Sequence, residues 1–144
     1  MDKLLLAVKQ ELQEKITGFR KSDIYITPDL AFIPKGVKMP CVGIKDGKTK
    51  HTYGMSHSKD FEMAVRLVML VDLTKKEAAL VDTKKGILQI NKKIIAALEN
   101  NLLGIENMNE CRVVEDPASQ FFITKTKELL QRKELGLLYT KNDG

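Results

Sequence analysis

The sequence predicts an α+β domain, a mainly antiparallel sheet with helices packed on one face as a two-layer sandwich. Three observations carry this. Phe61 to Leu73 reads FEMAVRLVMLVDL, with Phe61, Met63, Val65, Leu67, Met69, Val71 and Leu73 all apolar. Strict alternation is the period of a β-strand. Residues 83–103 place Ile87, Leu88, Ile90, Ile94, Ile95, Leu98, Leu102 and Leu103 in a stripe wide enough to cover a sheet. Short alternating runs on either side are bounded by Pro, Gly and Asp. At 144 residues the chain suits one domain, 1–144, and 43% hydrophobic content supports one core. Trp is absent and aromatics are 6%, so Leu, Ile, Val and Met build that core.

Residues 3–17 form the first helix, with Leu4, Leu5, Val8, Leu12 and Ile16 on one narrow stripe. Asp2 is its expected N-cap, Gly18 its end, and Glu11 with Lys15 an i,i+4 pair on the wet side. Ile24 to Ile26 is a short strand stopped by Pro28. Residues 29–40 are a connector, since Pro34, Gly36 and Pro40 forbid a central strand. Residues 41–53 read as a hairpin turning at Asp46-Gly47, a dipeptide suited to positive φ. Its polar second arm, Lys48–Tyr53, is expected as an edge strand or a loop, and residues 54–60 continue as loop.

The long strand 61–73 follows, its odd face on a helix. Its even face, apolar at Val68 and Leu70, is expected to be covered by the first helix or by a neighbouring subunit. Residues 74–81 hold a turn of helix. Asp82 or Thr83 caps the main helix 83–103, with Gly86 weakening its first turn and Gly104 in the left-handed position after its end. Strands 111–115, 120–126 and 129–141 close the chain, with a bulge at Gly136, an exposed edge at 129–141 and a frayed, flexible tail at 142–144.

No stretch carries recognisable chemistry. His51 and His57 lack nearby Cys or carboxylate partners at metal-ligand spacing, and Ser56 and Ser58 beside His57 do not make a triad. Cys41 and Cys111 are far apart and read as buried thiols in a reducing compartment. Neither GxxxxGK[ST] nor GxGxxG occurs. No cofactor, no metal and no catalytic residue is therefore expected. The apolar run Leu4–Val8 is too short for a signal-peptide core, and no stretch approaches a membrane span, so the expectation is a cytoplasmic origin with no membrane partner.

The net charge of +5 is mild, but Lys45, Lys48, Lys50, His51 and Lys59 cluster locally. The cluster is the candidate partner or channel contact. It reads either as a solvated loop or as a phosphate-backbone contact, the latter making the chain a small basic nucleic-acid-binding α+β domain. Tyr53 is the only aromatic available there for base stacking, which argues against sequence-specific reading.

The order of elements resembles the tail-terminator and tail-completion proteins of long-tailed bacteriophages and their head–tail joining relatives. The resemblance rests on the amphipathic helix Leu4–Ile16 with strand Ile24–Ile26, the proline-bounded connector leading to Pro40–Asp60, the strand Phe61–Leu73, the helix containing Ile-Ile-Ala-Ala-Leu at 94–98, and the closing strands Gln120–Thr126 and Leu129–Lys141. It covers most of the chain as size and topology, without a diagnostic motif. It implies a non-enzymatic virion subunit assembled in the host bacterial cytoplasm. It further implies a homo-oligomeric ring, a hexamer, that caps the tail tube and offers the head-docking surface. Partners would be the tube protein and a head-completion or connector protein, with DNA passing through the ring.

Overall fold

The computed structural model describes residues 1–53, 59–73, 76–82, 86–124 and 126–142. The elements are α1 (Asp2–Lys15), a 3-10 turn (Lys21–Asp23), β1 (Ile24–Ile26), β2 (Cys41–Tyr53), β3 (Lys59–Asp72), α2 (Lys76–Val81), α3 (Ile87–Leu98), β4 (Met108–Glu115), β5 (Gln120–Ile123) and β6 (Leu129–Asn142). Six strands form one sheet in the order β1-β2-β3-β6-β4, with β5 also on β6. Only β1–β2 is parallel. Thr83, expected as a cap, and His57 lie outside the described residues.

Strand β3 is the spine, paired along its length with β2 and β6. Its odd residues Met63, Val65, Leu67, Met69 and Val71 join Leu4, Val8 and Leu12 of α1 and Ile87, Ile90, Ile94 and Leu98 of α3 in the main core. Both helices thus cover one face, and the α+β sandwich expected from the sequence is the fold observed. The even face is different. Val68 and Leu70 pack with Tyr25, Leu30 and Cys41 in a second cluster, flanked by Ile33, Val37 and Met39. The cover expected from the first helix or a neighbour comes instead from the 29–40 connector. An apolar pair on a sheet must be shielded by something, and Leu30 and Ile33, between prolines that bar them from the sheet, serve as that lid.

The expected Asp46-Gly47 hairpin turn is not formed. Strand β2 runs unbroken from Cys41 to Tyr53, with a register shift between Asp46 and Thr49 opposite β3. Gly47 does not have positive φ, so no type I′ turn exists. It is glycine for another reason. A Cβ there would lie 2.8 Å from Ala64 Cβ and 3.1 Å from Ala64 O. Strand pairing over the whole of β3 outweighs the local turn preference, and the bulge absorbs the extra residue. Gly47→Ala is expected to destabilise by about 1 kcal/mol or more through overpacking. A lowered urea midpoint with unchanged slope checks it, and an unchanged midpoint counts against it.

The C-terminal half holds further corrections. Strand β6 is interior, between β3 and β4/β5, so the expected edge at 129–141 does not exist. The bulge expected at Gly136 sits across the ladder in β4, between Val113 and Glu115. Gly136 keeps register with Arg66 while the Glu115 side chain lies over it, 3.0 Å from where a Cβ would be. Helix α3 stops at Leu98, short of 103. Asn100 turns left-handed at φ 61, and the Asn101 side chain donates to Ala97 O at 2.9 Å and accepts from Leu103 N at 2.9 Å. Gly86 is its N-cap, without a side-chain cap. At α1, Met1 is the N-cap position and Asp2 already lies in the first turn. Glu11 accepts from Asn101 Nδ2 at 3.0 Å, which ties α1 to the end of α3 rather than leaving Glu11 on a wet pair with Lys15. Asn142 is paired, donating Nδ2 to Asp60 Oδ1 at 2.7 Å, so the frayed tail does not begin there.

Candidate functional site

The five clustered groups Lys45, Lys48, Lys50, His51 and Lys59 all lie on the β2–β3 ribbon, on strands rather than on a loop. The pleat divides them. Lys45 opposes Arg66 and Lys50 opposes Glu62, on the sheet face away from the helices. Lys48, in the bulge, joins Lys45, Arg66, Val114 and Glu115 around a shallow groove of about 530 Å³. His51 and Lys59 belong to the helix-side parity at the far end of the ribbon. His51 meets the Phe61 ring edge-on at 4.8 Å, and Lys59 Nζ sits 5.8 Å over the Tyr53 ring. Both are cross-strand pairs.

The open face is mixed in sign. Lys45 Nζ lies 3.1 Å from Asp46, Arg66 is 3.0 Å and Arg132 3.5 Å from Glu134, and Arg112 is 3.5 Å from Glu110. Cations interleaved with carboxylates do not give the one-sign surface that phosphate binding requires. Among the described residues, no group of three or more His, Cys, Asp or Glu is placed to hold a metal. No helix among them is long and apolar enough to cross a membrane.

Both cysteines are buried. Burial pushes the Cys41 thiol up to about 11, partly offset by the Tyr25 hydroxyl at 3.8 Å. Burial also raises Cys111 and the neighbouring Tyr139. A rise from 9.0 to about 11 leaves roughly a hundredfold less thiolate at a given pH. Ellman's reagent is therefore expected to modify Cys41 on unfolding and not before. Rapid labelling of the native protein defeats that expectation.

Two features were not read from the sequence. One is a buried carboxylate, Asp23, which accepts Arg20 Nε at 3.0 Å, Arg20 Nη2 at 2.8 Å and Lys38 N at 3.0 Å. Arg20 Nη2 also donates to Gly36 O at 3.0 Å. The pair moors the connector over the second cluster. Arg-x-x-Asp before a strand is its only sequence signal. The other is a groove of about 850 Å³ at the opposite end of the sheet from Tyr53. Its walls are Phe32, Ile33, Val37 and Met39 of the connector and Ile123 to Glu128 after β5. Its walls are some ninety residues apart in sequence, so no local pattern announces it.

No family model and no curated protein matches the chain. Among solved structures, a chain of the virion of a native gene transfer agent particle shares the fold, with a TM-score of 0.59. Identity is 12%, over 96% of this chain and 94% of that one. The two proteins share one architecture from end to end.

Proposed function

We infer that the protein is a non-enzymatic structural subunit of a phage-type particle. In this reading it is a tail-terminator or neck component that forms a closed ring, a hexamer, on the end of the tail tube and presents the surface to which the head docks. The observation that carries this reading is the end-to-end fold match to a virion component. The order of elements, which resembles the terminator family, narrows the role. The partners are further copies of the chain, the tube protein and a head-completion or connector protein, with DNA passing through the lumen.

Mass in solution tests it. Native mass spectrometry and negative-stain imaging are expected to find a closed ring with cyclic symmetry, favoured at high protein concentration. A species that stays monomeric and binds nucleic acid with steep salt dependence overturns the reading.

A further inference from the structure

The sheet has two chemically opposite ends. At one end the 850 Å³ groove has an apolar wall, with Phe32 and Ile123 each 54% exposed, and carboxylates at Asp29, Asp72 and Glu128 against a single cation, Lys38. That is a local inversion of sign in a chain of net charge +5. At the other end the ribbon presents Lys50, His51 and Lys59 around Tyr53, which is 72% exposed. An aromatic ring ringed by cations is the complement of an apolar slot rimmed by carboxylates.

The two ends cannot meet within one molecule. The groove lies beside Met39 and Asp72, where β2 begins and β3 ends, whereas Tyr53 and Lys59 close the far end of the same strands. Thirteen residues of extended chain separate them by roughly 40 Å at about 3.3 Å per residue. We propose that the groove receives the Tyr53 end of the β2–β3 ribbon from a second copy of this chain. Tyr53 enters between Phe32 and Ile123, and Lys50 and Lys59 reach the Asp29 and Glu128 side. The contact joins unlike surfaces, so it is heterologous: repeated, it closes into a ring or runs on as a filament. The proposal rests on the ring reading above and specifies which surfaces make the ring. Beyond Ile44, the outer edge of β2 carries no strand among the described residues, which leaves the ribbon end accessible.

The test uses two variants of the full chain. The ribbon variant carries Lys50→Glu and Lys59→Glu. The groove variant carries Phe32→Ser and Glu128→Lys. Mass is read by multi-angle scattering after gel filtration, with far-UV circular dichroism checking that both fold. Each variant alone is expected to be monomeric, because each has lost one of its two surfaces. Mixed one to one, they are expected to form a heterodimer and nothing larger, since the intact ribbon of one fits the intact groove of the other and no free complementary pair remains. Added salt should return wild type towards monomer. A mixture that stays monomeric overturns the proposal. Wild-type rings with variant rings equally stable overturn it while leaving the ring reading standing. A wild type monomeric at every concentration overturns both.

Discussion

Leu67→Ala is expected to lower the unfolding free energy by about 3 to 5 kcal/mol. Leu67 is fully buried on the odd face of β3. Its ladder neighbours are Ile44 on β2 and Leu135 on β6, both fully or nearly fully buried. Pinned on both sides by hydrogen-bonded strands and roofed by α1 and α3, the site has little freedom to collapse on the cavity. The cost therefore sits at the upper end of the range for such truncations. The melting temperature should fall by roughly 10 °C or more. Leu6→Ala is the internal control. Leu6 is 58% exposed on α1, and its truncation should move stability by no more than about 0.5 kcal/mol. Equal losses at the two leucines would mean that the odd face of β3 is not the centre of the core.

That centre was legible because alternation over thirteen residues has one simple solution. The helix stripes were equally legible, and together they give the layers. What escaped the sequence was decided by competition between local and non-local terms. Asp46-Gly47 is a good turn dipeptide, but a ladder with β3 from Cys41 to Tyr53 is worth more than one turn, so the chain runs through it. The α3 end was misplaced because Gly104 stood out, while Asn100 took the left-handed conformation first. Strand β6 looked like an edge because its alternation is weak, Leu-Leu-Gln-Arg-Lys-Glu-Leu-Gly-Leu-Leu-Tyr, yet it pairs on both sides. The cationic residues of the candidate surface were visible one by one. Their division between two faces depends on a bulge that only the pairing partner reveals. The groove needs residues 29–39 and 123–128 together, which no window of sequence contains.

The mooring of the connector gives the second large effect. Asp23→Ala is expected to cost about 2 kcal/mol, because it removes a buried acceptor and strands the Lys38 N–H. Asp23→Asn keeps shape and one acceptor and should cost less. The pH dependence separates charge from shape. The hydrogen bond from Arg20, and then that from Lys38 N–H, hold the Asp23 carboxyl below its ordinary 3.8 despite the opposing effect of burial. A carboxyl whose folded-state pKa is depressed binds its proton more readily in the unfolded chain. Its stabilisation is therefore complete above the ordinary value and is lost as pH falls through the folded one. The stability gap between wild type and Asp23→Asn should be full at pH 7 and should shrink progressively below about pH 4. A gap that stays constant in urea titrations at both ends of that range would show that the carboxylate charge contributes nothing. The same carboxylate holds Lys38 and, through Arg20, Gly36, within the stretch that forms one wall of the groove. Loosening it should therefore blur the slot between Phe32 and Ile123. In Asp23→Ala, self-association is expected to weaken at temperatures where the main core, on the other face of β3, is still folded.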